Sequence, residues 1–226
     1  MIEVSAPMVP PDDASLDALL APLRPVARAR CEGADAAHDW LHVERVTANA
    51  RRVARAEGAD VAVAAAAALL HELFNYPKGH PESRRSGEVC AEHARDVLRD
   101  HGWDDARAEA VCYAIRVHPF SLGVTPVTLE AKVLQDADRL DAIGAVGVAR
   151  CFATCAAMGR PFYDPDDPRA ERRALDDKLW GVDHFFKKLL RLEAGMHTAA
   201  ARALAAERTA LMRAFLDGFF REVDGG

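Results

Sequence analysis

Apolar residues recur at helical spacing along most of the chain. Trp40, Leu41, Val43, Val46, Ala50 and Val53 return at intervals of three and four, which predicts a helix from about Ala36 that stops at Gly58. Asp60 then stands where an N-cap belongs, ahead of an alanine-rich helix expected to run to about Phe74. The stretch "NYPKGHPESRRSG" ends it with two prolines and two glycines. Further helices are predicted over Gly87–His101, Asp104–His118, Thr128–Met158 with an interruption near Gly144, Asp183–Glu193 and His197–Val223. The last carries Leu204, Leu211, Phe215 and Phe219 on one face, which either buries within the chain or pairs with a second copy as a homodimer. No stretch sustains a period-two alternation of β-branched residues, so the predicted class is all-α.

The first dozen residues hold three prolines and two acids, a composition that suits a tether over residues 1–12. Ordered structure is expected from Asp13 or Ser15, either of which can accept from the open N–H groups of a first helical turn. Residues 13–226 then read as one domain, since 226 residues suffice for a single core and no internal repeat divides them. The least regular segment is "GRPFYDPDDPRAERRALDDKLW", a surface connection on the plainer reading and a lid over a site on the other.

Half the residues are hydrophobic and 28% are charged, as in an ordinary folded domain. A formal net charge of −6 argues against a grip on a nucleic acid polymer, which needs a basic stripe. It leaves a small phosphorylated ligand open, because a bound dication and a few local cations act regardless of the total. Five cysteines without CxxC spacing, behind a start unlike a signal peptide, predict reduced thiols in a cytoplasmic protein. Cys151 and Cys155 share a helix face and read as core packing. The apolar tract Val61–Leu70 is too short to span a bilayer, so no membrane association is expected.

Three pieces carry candidate chemistry. His42 lies within "HVERV", one turn after His38 and beside Asp39, and is expected mid-helix. His71 and Glu72 are adjacent at the end of an apolar helix, where an unpartnered imidazole and carboxylate would be costly and a shared cation would remove that cost. "LQDADRLDAIGA" sets Asp136, Asp138 and Asp141 among Val133, Leu134, Leu140 and Ile143, with Arg139 able to neutralise a neighbour. On a helix Asp138 and Asp141 share a face and Asp136 does not, so one ion is not expected to take all three.

The fragments "HDWLHVERV", "LLHELFNYPK", "VHPFSLG", "LEAKVLQDADRLDAIGAVGVAR" and "DHFFKKLLRL" together resemble the HD-domain superfamily of metal-dependent phosphohydrolases. They are similar in particular to its small single-domain bacterial branch, which includes nucleotide pyrophosphohydrolases. The resemblance runs from about Ala36 to Val223 and implies a helical bundle with additional C-terminal helices. It implies metal ligands at His42, His71, Glu72 and Asp138, with Asp136 and Asp141 as neighbouring or substrate-side groups. Mn²⁺ or Mg²⁺ is the implied ion, with Ni²⁺, Co²⁺ or Fe²⁺ compatible. His118, Asp141 and Asp136 are the candidate proton acceptors, and Lys78, Arg84, Arg85 and Arg139 the candidate substrate-binding cations. The implied reaction is metal-assisted hydrolysis of a phosphoester or phosphoanhydride of a small nucleotide, with no Ser or Cys nucleophile. Glu72 departs from the family's His-Asp doublet by one methylene, which moves the carboxylate by roughly an ångström. Two other readings follow from that scaffold. One is a silent or altered-metal protein marked by Glu72, and the other a di-iron oxygenase drawing further ligands from His118, His93 or His101.

Overall fold

The computed structural model describes residues 12–33, 38–77 and 79–226. The expected tether, apart from Asp12, and Lys78 lie outside the described residues. Among the described residues the chain forms ten α-helices and no strand: α1 (Asp13–Leu20), α2 (Leu23–Arg30), α3 (Trp40–Glu57), α4 (Val61–Leu70), α5 (Ser86–Asp100), α6 (Asp105–Val117), α7 (Leu129–Asp141), α8 (Gly144–Ala157), α9 (Asp183–Lys187) and α10 (Ala199–Val223).

Most of these begin at a side-chain cap. Asp12, rather than Asp13 or Ser15, accepts from the Ser15 N–H at 2.7 Å. Asp60 accepts from Ala62 and Val63 N–H, Asp104 from Arg107 N–H and Thr128 from Ala131 N–H. Gly58, at φ 74°, closes α3 in the left-handed conformation that an L side chain resists.

At the centre lies α4, every residue of which is buried. A helix apolar on all sides belongs in the middle of a bundle, and its run of alanines lets α3, α6 and α7 pack closely around it. The helix ends at Leu70, four residues before the predicted Phe74, so His71 and Glu72 stand in the turn that follows. Around this centre α5 packs on α6, and α10 crosses α8, α7 and α3. The predicted helix over Asp183–Glu193 is instead the short α9 followed by 3₁₀ turns at Leu189–Arg191 and Glu193–Gly195, because Lys188 leaves helical backbone at φ −133°.

The buried stripe of α10 is Leu204, Ala205, Met212, Leu216 and Phe220. Phe215 and Phe219 pack against Phe152 of α8, while Leu211, predicted on the same face, is 46% exposed. Segment 159–180 is pinned at both ends: Gly181 and Val182 N–H donate to Pro161 and Phe162 carbonyls, and Arg173 pairs with buried Asp183 at 2.6 Å. All five cysteines are free and buried, and burial pushes the Cys90 thiol up to about 12. No single helix among the described residues is long and apolar enough to cross a membrane.

Asp136 ties α7 to α10. Its Oδ1 accepts from His197 N–H at 2.9 Å and its Oδ2 from the N–H and Oγ1–H of Thr198 at 2.8 and 2.7 Å, the Thr198 that itself caps α10. The carboxylate is fully buried and all its geometry is spent on that junction, away from the position expected of a proton acceptor. Asp136→Ala leaves three donors without a partner, and is expected to lower the unfolding free energy by about 2–4 kcal/mol. A urea titration should show a lower midpoint at unchanged slope.

Candidate metal centre

Four helix ends meet at one end of the bundle. Asp39 caps α3 by accepting the His42 N–H at 2.8 Å, which places His42 in the first turn rather than mid-helix as expected. His71 is the C-cap of α4 and His118 the C-cap of α6, while Asp138 lies in the last turn of α7. Three C-terminal ends, with their exposed carbonyls, therefore face a common point, an arrangement that favours a cation.

There the structure brings His42, His71, Glu72 and Asp138 together. The two Nε2 atoms of His42 and His71 stand 3.2 Å apart. Glu72 Oε1 is 3.8 Å from each of them, and Asp138 Oδ1 is 3.6 Å from His42 Nε2. His42, His71 and Glu72 can each offer one ligand atom with all three atoms within 4.8 Å. Because Glu72 follows the end of α4, it is free of helical side-chain direction, and its longer side chain folds back to reach both imidazoles equally.

The outer nitrogens fix the tautomers. His42 Nδ1 is 2.8 Å from Asp141 Oδ2, and His71 Nδ1 is 2.6 Å from the Ala68 carbonyl. Both partners accept only, so both Nδ1 atoms carry a proton and the two Nε2 atoms are left facing each other. Burial, with repulsion from His42 and His118, pushes His71 down to about 3, so it is neutral at pH 7. At 3.2 Å the two nitrogens are joined by a proton carried on one of them or by a cation between them. Two imidazoles on one divalent ion stand about 3.0–3.4 Å apart for metal–nitrogen bonds of about 2.1 Å. The residues therefore fit the ion that the resemblance implies.

Asp141 does not face the lone pairs. It is 2% exposed and accepts from His42 Nδ1, from Arg45 Nε at 2.6 Å and from Arg150 Nη1 at 2.6 Å. Burial opposes its ionisation, but these three donors outweigh burial and hold the carboxyl well below the usual range. The i, i+3 spacing thus delivers Asp138 to the inner nitrogen of His42 and Asp141 to the outer one. Asp141 orients a candidate ligand in the manner of a carboxylate–histidine–metal triad, and a carboxylate so engaged is a poor proton acceptor.

His118 sits edge-on to His71 with ring centroids 5.3 Å apart. Its Nδ1 is 2.6 Å from the Ile115 carbonyl, and burial lowers its pKa, so Nε2 is a neutral acceptor. The other expected cations are elsewhere. Arg84 and Arg85 lie on an exposed 3₁₀ turn, where Glu82 and Glu88 engage Arg85. Arg139 donates to the Gly195 carbonyl and to Gln135 Oε1, both at 2.7 Å, and so braces α7 against the turn before α10. His93 stacks on Phe74 and His101 bonds the Val97 carbonyl, so neither joins the cluster as a di-iron reading requires. Sequence reasoning missed Arg45 and Arg150, the two guanidiniums on Asp141. Arg45 is three residues from His42 on the same helix face and was within reach of periodicity, whereas Arg150 comes from beyond the α7–α8 break.

This fold has clear relatives. Residues 40–143 match the HD domain family. The chain is 35% identical over 192 residues to the uncharacterized protein YpgQ of Bacillus subtilis (strain 168), spanning 83% of this chain and 85% of that one. The crystal structure of Bacillus subtilis YpgQ in complex with ADP is similar at a TM-score of 0.71 and 33% identity, covering 92% of this chain and 96% of that one. An HD-superfamily hydrolase from Bacillus thuringiensis is similar at a TM-score of 0.71 and 28% identity, covering 94% and 98%. The chain belongs to the HD-domain superfamily.

Proposed function

We propose that the chain hydrolyses a phosphoester or phosphoanhydride of a small nucleotide with the help of one divalent ion held by His42, His71, Glu72 and Asp138. The observation that carries this reading is the pair of Nε2 atoms 3.2 Å apart with carboxylates beside them. A set of two imidazoles and two carboxylates is borderline in softness, which suits Mn²⁺ and also Co²⁺, Ni²⁺ or Fe²⁺, with Mg²⁺ the harder alternative. Such an ion polarises a phosphoryl oxygen and acidifies water. Within the chain, Asp141 holds the His42 Nδ1 proton and so turns Nε2 inward, and His118, edge-on to His71, is the acceptor for the proton of the attacking water. The thiols are buried, in keeping with direct attack by water rather than a covalent intermediate. The nucleotide class rests on likeness to YpgQ, whose structure was determined with ADP.

The test is metal content together with phosphate and pyrophosphate release from a panel of nucleotides and phosphomonoesters under each candidate ion. Turnover that depends on added ion is expected, and no release under any ion would sink the proposal. Glu72→Asp is expected to lower turnover about tenfold or more, because the turn after α4 positions the longer side chain and shortening it withdraws the oxygen. A large gain would instead identify Glu72 as the mark of a degraded site.

A further inference from the structure

The turn that carries His118 is held from two sides. His118 ends α6 on a long backbone bond, its N–H donating to the Ile115 carbonyl at 3.4 Å. Beyond it Pro119, a 3₁₀ turn over Phe120–Leu122 and Gly123, at φ 66°, bring the chain round towards α7. On one side α5 presses against this turn at Gly87, where a Cβ would come within 2.5 Å of the Arg116 carbonyl oxygen and 3.1 Å of Pro119 Cγ. On the other side stands Gln135 of α7, 1% exposed. Its amide nitrogen donates to the Val117 carbonyl at 2.8 Å and to the Val124 carbonyl at 3.0 Å, so one side chain fastens both ends of the stretch 118–123. Carbonyls accept only, which settles the orientation of the amide. Its oxygen accepts from Arg139 Nη2 at 2.7 Å and lies 2.9 Å from His197 Nε2. Arg139 also reaches the turn, with its guanidinium 5.6 Å from the centre of the Phe120 ring.

We propose that Gln135 is a positioning residue for His118, fixing where that imidazole stands relative to the metal centre. The inference rests on the hydrolase reading above, in which His118 takes the proton of the water, and adds what holds it in place. Spacing supports it first. Gln135 lies three residues before Asp138 and shares its face of α7, so one turn of helix carries a proposed metal ligand and also grips the backbone beside the proposed proton acceptor. The hydrogen bonds support it next. Both amide hydrogens go to carbonyls of the His118 turn rather than to α7 or its helical neighbours, and a buried polar group so fully engaged holds its partners rigidly. Geometry gives the consequence: a proton acceptor displaced by about 1 Å loses up to about a hundredfold in rate, and a turn released at Val117 and Val124 has that freedom.

Gln135→Glu keeps the shape of the side chain and the bond to Arg139, but a carboxylate gives neither donation. Gln135→Met, unbranched and of similar length, removes the polar atoms altogether and serves if the buried charge prevents folding. Turnover is measured on the Mn²⁺-loaded protein with the nucleotide that the panel shows to be hydrolysed fastest, alone and combined with His118→Ala. The turnover number is expected to fall about tenfold or more, with KM and Mn²⁺ affinity within about twofold, and to fall no further when His118 is already Ala. The imidazole ¹⁵N spectrum of the metal-free protein is the second readout. It is expected to show His118 as one Nδ1–H tautomer in the unaltered protein and as broadened or mixed tautomers in the variants. An unchanged turnover number, an equal loss in the presence and absence of His118, or a matching loss of Mn²⁺ affinity would each overturn the inference. If the unaltered protein hydrolyses nothing, the hydrolase reading falls and the ring spectrum alone decides: His118 signals unmoved in the variants remove Gln135 as the residue that positions it.

Discussion

His71→Ala is expected to leave a folded protein that no longer gains stability from Mn²⁺ and turns over substrate on the order of a thousandfold more slowly. An ion present at a hundredfold over its dissociation constant stabilises the folded chain by about 3 kcal/mol, and that increment should vanish with His71. In the metal-free protein the same substitution costs about 2–4 kcal/mol, because it leaves a buried cavity and removes the hydrogen bonds to His42 and to the Ala68 carbonyl. Acid behaviour separates the two states further. His71 is pushed down to about 3 in the folded chain. The unfolded chain, with an ordinary value of about 6.5, therefore binds a proton that the folded chain refuses as pH falls from about 6.5 towards 3. Metal-free stability is lost across that window, and His71→Ala should flatten the loss. Thermal melts with and without Mn²⁺, repeated from pH 7 to pH 4, read all three effects. A metal-induced shift that survives in the variant would remove His71 from the ligand set.

Asp141→Asn should weaken the ion without altering any group of the proposed ligand set. The amide keeps the carboxylate's shape but offers one acceptor where His42, Arg45 and Arg150 need three. Turning its NH₂ towards His42 would move the imidazole proton to Nε2 and extinguish the lone pair that faces the centre. A loss of about 10–100-fold in Mn²⁺ affinity is expected. Two guanidiniums also lose their counter-charge, Arg150 largely buried and Arg45 about one-third exposed. With solvent screening of the outer one, a loss of about 3 kcal/mol is expected in the metal-free protein. Since the Asp141 pKa is lowered by folding, its contribution is complete above the ordinary carboxylate value of about 4 and fades as pH falls below it. The deficit of Asp141→Asn relative to the unaltered protein should accordingly shrink in acid. A deficit that stays constant from pH 7 to pH 3 would assign the role of Asp141 to shape alone.

Much of this fold can be read from local signals. Asp60 and Gly58 are side-chain and backbone punctuation that act within a few residues, and the structure places them as the pattern predicts. The break near Gly144 is likewise local, a glycine at φ 79° between α7 and α8. Position within the site is legible only in part. Helical spacing puts Asp138 and Asp141 on one face, but which carboxylate meets the inner nitrogen of His42 depends on how α3 docks on α7. Asp136 shows the same gap, because its partners His197 and Thr198 are about sixty residues away and no periodicity links them. Arg84 and Arg85 looked suited to phosphate by charge and proximity in sequence, yet their turn is exposed and Arg85 is already paired.

The convergence of helix ends has a mechanical side. Ends are where backbone hydrogen bonds are fewest and where local opening costs least, so α3, α4, α6 and α7 would each fray there independently. An ion bound by groups on three of those ends ties separate fraying events into one cooperative unit. Removing it would then be felt as slackening of a whole end of the bundle, with the amides of several helix termini losing protection from exchange together.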